Sequence, residues 1–139
     1  MHRVLLADDS PPMRRALSRI IRAIDGWEVC GEAVNGRDAV RLTAKLKPDA
    51  ILMDISMPGI DGIEAAGLIR KKVPGVKILI LSLHQSRQLL ERALRAGANG
   101  YVLKSNADSD LIEALNSAAK GQTYVSPAVE NALAKGSGA

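Results

Sequence analysis

Five polar side chains each stand at the end of a short apolar run. Asp8 and Asp9 follow Val4-Leu5-Leu6-Ala7, Asp54 follows Ala50-Ile51-Leu52-Met53, and Ser82 follows Lys77-Ile78-Leu79-Ile80-Leu81. Lys104 follows Tyr101-Val102-Leu103. Short continuous apolar runs of this kind read as strands covered on both faces. Ligands of an open parallel sheet bind beyond the carboxyl ends of its strands, where the strand order reverses. All five side chains therefore fall on one rim. Three crowded carboxylates repel, so some must stay protonated or a cation must join them. Oxygen ligands with no His or Cys nearby favour a hard ion over zinc, and Mg2+, which keeps its waters and accepts a phosphoryl oxygen, fits best. Lys104 and Ser82 would then clamp the equatorial oxygens of a phosphoryl group in transfer. Asp54, on the central strand, is placed as the nucleophile and would become an aspartyl phosphate. Taken singly, each piece has a plain structural reading, such as a capping turn, a strand end or a solvated loop lysine. The joint pattern carries the chemistry.

The intervening segments read as helices that would position this rim. Ser10 offers an N-cap and Pro11-Pro12 opens a first turn, where proline loses nothing. Met13, Leu17, Ile20, Ile21 and Ile24 follow at helical spacing, and Asp25-Gly26 ends the helix. Residues 27–34 alternate weakly and predict an edge strand. A second helix over 37–46 stops at Lys47-Pro48, because the residue before proline avoids helical geometry. A third spans Gly62 to Lys72, a fourth about Arg87 to Arg95, and Asp108 is expected to cap a fifth. In that last helix Leu111, Ile112, Leu115, Ala118 and Ala119 share a face. Five β-α units without a repeat predict an α/β fold, a doubly wound five-stranded parallel sheet with five helices. One domain is expected over 1–121. Residues 122–139, small, polar and broken by Pro127, read as a C-terminal tail or linker stump.

Composition narrows the classes. The 139 residues are 47% hydrophobic and 24% charged, which excludes disordered and fibrous chains. No apolar run approaches the ~20 residues of a membrane span, and none resembles a signal-peptide core. A single cysteine, Cys30, excludes an internal disulfide framework and suits a reducing, cytoplasmic setting. Cys30 itself reads as strand packing. With no Phe, a base-stacking surface is not expected. The net charge of +4 permits a nucleic-acid partner, but the basic residues are scattered among acidic ones over the first four helices. Too few residues follow the fifth helix to build a helix-turn-helix, so no specific DNA binding by this chain alone is expected. The arginines of the first helix read as a solvated face.

Other uses of a strand-end aspartate fit less well. A haloacid-dehalogenase-type phosphatase needs a second Asp two residues after the nucleophile, and that position is Ser56. A nucleotide-binding module needs a glycine-rich loop after the first strand, and none is present.

The motifs Leu6-Ala7-Asp8-Asp9-Ser10, Met53-Asp54-Ile55-Ser56-Met57-Pro58-Gly59-Ile60-Asp61-Gly62, Leu81-Ser82 and Gly100-Tyr101-Val102-Leu103-Lys104 carry a resemblance. Over residues 3 to 120 the chain resembles a response-regulator receiver domain of bacterial two-component signalling. Gly121-Gln122-Thr123-Tyr124-Val125-Ser126-Pro127 looks like the receiver end of the NarL/LuxR-type transcriptional regulators. The resemblance implies a flavodoxin-like sheet of strand order 2-1-3-4-5. It implies that Asp8 and Asp9 hold Mg2+ with Asp54 and the backbone carbonyl of Ser56. Asp54 would accept a phosphoryl group from a histidine kinase or phosphotransfer protein, with Ser82 and Lys104 on the phosphoryl oxygens. Tyr101 would be the switch aromatic, moving from an outward position into space that Ser82 vacates. Catalysis would be limited to the chain's own Mg-dependent phosphorylation and dephosphorylation. A phosphorylation-dependent homodimer and a DNA-binding output domain outside this chain follow from the same resemblance. The alternative is a free-standing receiver that acts by protein–protein contact. Ser105 departs from the commonest pattern, standing where many receivers have proline after the lysine.

Overall fold

In the computed structural model, which describes residues 1–131, strands and helices alternate along the chain. The order is β1 (His2–Ala7), α1 (Pro11–Arg22), β2 (Trp27–Ala33), α2 (Gly36–Leu46), β3 (Ala50–Asp54), α3 (Gly62–Lys72), β4 (Lys77–Ser82), α4 (Arg87–Arg95), β5 (Gly100–Leu103), α5 (Ala107–Ala119) and β6 (Tyr124–Val125). A 3₁₀ turn over Lys104–Asn106 leads into α5. All neighbouring strands pair in parallel, in the order β2-β1-β3-β4-β5-β6.

Local chemistry sets the helix starts. Ser10, Asn35, Asp61 and Ser86 each accept the backbone N–H three residues on, at 3.3, 2.8, 2.8 and 3.2 Å. Lys47 takes a left-handed φ of 47° and stops α2 before Pro48. The fifth helix differs from expectation. Its cap position is Asn106, without a side-chain cap bond, and Asp108 lies inside the first turn. The preceding 3₁₀ turn starts the helix earlier than the aspartate. Asp108 and Asp110 then lie near its positive N-terminal end.

Successive strand residues point to opposite faces, so each core strand feeds two cores. Leu5, Ile51, Met53, Ile78 and Ile80 pack with Ala39, Ile63, Ala66, Ile69 and Leu90 on one side. Val4, Leu6, Leu52, Leu79, Leu81 and Val102 meet Leu17, Ile21, Leu111, Leu115 and Ala118 on the other. Ile112 and Ala119 do not join them. Ile112 is 46% exposed and Ala119 faces solvent, because Ala114 occupies the buried side of α5 with Leu111 and Leu115.

The sheet gains a sixth strand beyond the five expected. Tyr124 N–H donates to Asn99 O at 3.0 Å and Ser126 N–H to Tyr101 O at 2.9 Å, laying β6 along β5. A two-residue strand in a Gly- and Pro-punctuated stretch leaves no periodic signal. Residues 127–131 continue as helix, with Val129 fully buried. The remainder of the expected tail, residues 132–139, lies outside the described residues. No helix of the described residues is long and apolar enough to cross a membrane.

Gly62, which opens α3, lies against the strand that carries Asp54. A Cβ there would sit 2.0 Å from the Asp54 carbonyl oxygen. The obstacle is backbone, which cannot rotate away. Gly62→Ala should therefore cost about 1–3 kcal/mol by overpacking and displace the Asp54 peptide. Urea unfolding should show the loss. An unchanged midpoint would contradict this close packing.

Candidate functional site

Strand register brings the sequence-predicted residues together. Ala7 lies beside Met53, Asp54 beside Leu81, and Ser82 beside Leu103, so Asp8, Asp54, Ser82 and Lys104 emerge at one end of the sheet. The Lys104 ammonium lies between two carboxylates, 3.0 Å from Asp54 Oδ1 and 3.1 Å from Asp8 Oδ2. All three side chains are nearly buried, with 10%, 5% and 0% exposure for Lys104, Asp54 and Asp8. Asp9 is exposed at the mouth. Asp8, Asp9 and Asp54 each offer a carboxylate oxygen within 4.8 Å of the others.

The backbone around these groups is held firmly. Asp8 Oδ1 accepts the Ser10 N–H at 2.9 Å, and the Asp8 carbonyl accepts from the Arg14 guanidinium at 2.7 Å. Arg14 is itself paired with Glu32 at 2.9 Å. It is thus not part of the solvated face expected for the α1 arginines. Its spacing, six residues past Asp8 and one turn into the helix, is the sequence signal that could have singled it out. Ser56 donates its N–H to Asp54 Oδ1 at 3.3 Å and is otherwise exposed.

Electrostatics leave this site short of positive charge. Three carboxylates face one ammonium, so two negative charges stay uncompensated when all are ionised. Asp8 Oδ2 is buried and accepts no hydrogen bond; the ammonium 3.1 Å away is its counter-charge. Burial pushes the Asp54 carboxyl above the usual range; Lys104 opposes the rise and Asp8 adds to it. Burial alone would lower the Lys104 ammonium, but its close approach to the Asp54 and Asp8 carboxylates outweighs it and holds the group above its ordinary value. An all-oxygen donor set, an orphaned carboxylate oxygen and a deficit of two charges fit a hard divalent cation such as Mg2+.

Beside this cluster lies a second group. Ser82, at the end of β4, accepts the His84 N–H at 3.0 Å; among the described residues its hydroxyl bonds neither Asp54 nor Lys104. Tyr101 is fully buried, not outward as expected, and donates its hydroxyl to the His84 carbonyl at 2.8 Å. The β4–α4 loop is thereby tied to β5 through one phenol. His84 is exposed and Cys30 half-buried. The Lys104–Ser105 peptide is trans, as are all peptides among the described residues.

With fold and cluster established, likeness to known proteins identifies the class. The family described as "Response regulator receiver domain" matches residues 4–116. The chain belongs to that family of two-component response-regulator receiver domains. It is 34% identical over 134 residues to the response regulator GacA of Pseudomonas aeruginosa, covering 96% of this chain and 63% of that protein. It is 38% identical over 134 residues to the response regulator UvrY of Escherichia coli strain K12, covering 96% and 62%. The crystal structure of a LuxR-family two-component response regulator from Aurantimonas superposes with a TM-score of 0.94 at 34% identity, covering 100% of this chain and 99% of that one. The chain thus spans somewhat less than two thirds of these two curated relatives.

Proposed function

We propose that this chain is a phosphoacceptor: Asp54 takes a phosphoryl group from a histidine kinase or phosphotransfer protein, and the acquired charge resets the β4–α4 loop. The observation that carries this reading is the Lys104 ammonium held between Asp54 and Asp8 at strand ends. An Asp54 carboxylate oxygen attacks phosphorus in line with the departing imidazole nitrogen. The new O–P bond forms as the P–N bond breaks, and the imidazole, which carries a proton on its other ring nitrogen, departs as the neutral ring. Lys104 and the Ser82 hydroxyl then hold phosphoryl oxygens. To do so Ser82 turns its hydroxyl proton to the phosphoryl group, and the loop, whose His84 N–H bonds the same oxygen, follows. Asp8, Asp9, Asp54 and the Ser56 carbonyl would hold Mg2+, which supplies positive charge to the phosphoryl oxygens. Catalysis is confined to the chain's own phosphorylation and dephosphorylation.

Tyr101 serves as the switch aromatic, with its buried placement being one end of the movement. The phosphoryl group selects between two arrangements only to the extent that it interacts better with one. In this reading residues 1–121 are the receiver and 122–139, which first add β6 to its sheet, lead toward a DNA-binding output domain, in keeping with the likeness to a LuxR-family DNA-binding response regulator from Staphylococcus aureus. The chain acts in the cytoplasm, pairs with a second copy when phosphorylated, and does not bind DNA specifically by itself.

Beryllofluoride, a phosphoryl mimic, tests the proposal. With Mg2+ it should shift the amide resonances of Ser82, His84 and Lys104, and Asp54→Asn should abolish those shifts. Identical spectra with and without the mimic would overturn it. Mg2+ alone should bind weakly, because the ion dehydrates reluctantly and carboxylates furnish few of its six ligands. Asp9→Ala should remove the Mg2+-induced shifts at Asp8 and Asp54. Shifts that survive in Asp9→Ala would contradict the assigned ligand set.

A further inference from the structure

The C-terminal segment reaches the site through one buried hydroxyl. Main-chain pairing between β5 and β6 ends with Ser126 N–H on the Tyr101 carbonyl at 2.9 Å. The next residue is Pro127, at the start of the helical stretch 127–131. The next free donor along that edge of β5 is the Leu103 N–H, immediately before Lys104. It donates to Ser126 Oγ at 3.0 Å, and that hydroxyl in turn donates to Asp110 Oδ2 on α5 at 2.9 Å. A side chain thereby adds one rung to a ladder the main chain has left. Ser126 and Leu103 are buried, so the bond between them is shut off from water, while Asp110 is half-buried at the outer end of the bridge.

We infer that Ser126 is a positioning residue for Lys104: its hydroxyl bridges the Leu103 amide and the Asp110 carboxylate, fixing the strand end from which the ammonium reaches Asp54. This inference rests on the phosphoacceptor reading and adds to it a mechanical path. Ser126 belongs to the segment that follows α5 and carries β6, so the site and that segment are coupled. Coupling of this kind is reciprocal: what tightens Lys104 on a phosphoryl oxygen also tightens the Ser126 bridge. Tyr124, two residues earlier, places its buried hydroxyl within the field of the same aspartate. Burial first, then the Asp110 and Glu113 charges, push that phenol up to about 12, so it stays neutral beside Asp110.

The test is the rate at which the full chain gains a phosphoryl group from acetyl phosphate with Mg2+, followed by intact mass. Ser126→Ala should slow labelling roughly threefold to tenfold, the range expected for one lost hydrogen bond. Ser126→Thr, which keeps the hydroxyl, should label at the parent rate. Val129→Ala serves as comparator: it removes buried packing from the same segment while leaving both hydrogen bonds of the bridge in place, and should lower the melting temperature while leaving the labelling rate unchanged. Should Ser126→Ala fail to fold, Asp110→Ala removes the other end of the bridge and should slow labelling in the same direction. A folded Ser126→Ala or Asp110→Ala at the parent rate overturns the inference. So does equal slowing by Val129→Ala, which would mean general loosening. A parent that takes no label overturns the phosphoacceptor reading and this inference with it, an outcome distinct from a labelled parent whose variants match it.

Discussion

A Lys104→Ala variant should lose about 3 kcal/mol of stability at neutral pH, since removing one partner of a buried ion pair strands the other charge. Here two charges are stranded. Asp54 and Asp8 sit 3.0 and 3.1 Å from the ammonium and are nearly buried, so water cannot replace it well. The loss should depend on pH in a definite sense. Burial raises the folded-state pKa of Asp54 above its unfolded value even with Lys104 present. A raised carboxyl contributes stability that is present at low pH and lost as pH rises through the folded value. Without Lys104 that value rises further, so the variant's deficit should be largest at neutral pH and shrink on acidification. Mg2+ should restore part of the deficit by binding the folded cluster. Urea unfolding of parent and variant at neutral and mildly acidic pH, with and without Mg2+, checks each point. A deficit that is constant across pH would show that lost packing, not stranded charge, dominates.

Asp54→Asn should have the opposite effect on stability. An amide of nearly the same shape cannot ionise, so the desolvation penalty and one of three like charges vanish together. Lys104 keeps Asp8 as its partner. The gain at neutral pH should be on the order of 1 kcal/mol, the scale of one rearranged buried polar contact. It should fade as pH falls through the folded-state value of Asp54, where the parent becomes neutral at this position too. A site that becomes more stable when its central residue is neutralised has been shaped for reactivity at the expense of stability. Loss of stability in Asp54→Asn at neutral pH would mean that the Lys104–Asp54 pair outweighs the cost of burying it.

Much of this was legible from residue types and spacing. Apolar runs ending in Asp8, Asp54, Ser82 and Lys104 marked four strand ends, because a strand buried on both faces admits few polar residues until it leaves the sheet. N-caps at Ser10, Asn35, Asp61 and Ser86 are written in local chemistry, though only Ser10 declared itself ahead of the structure, through the prolines behind it. What stayed hidden depends on contacts distant in sequence. Asp108 looked like a cap because the 3₁₀ turn before it has no periodicity. Ile112 reads as buried because helical spacing alone leaves open whether it or Ala114 shares the inner side of α5 with Leu111 and Leu115. The inward Tyr101 depends on a carbonyl 17 residues away, and the Ser126 bridge on an amide 23 residues away. Arg14 reads as surface from its helical position because its partner, the Asp8 carbonyl, is backbone and leaves no mark in composition.

The central claim is that Asp54 is the residue that takes the phosphoryl group, and intact mass spectrometry tests it most directly. The parent chain and Asp54→Asn are incubated with acetyl phosphate and Mg2+ and weighed before the label can hydrolyse. The parent should gain the mass of a single phosphoryl group, and the gain should require Mg2+. Asp54→Asn should gain none, although it is expected to fold and to be the more stable of the two. The same label appearing on Asp54→Asn, or none on the parent, would contradict the account.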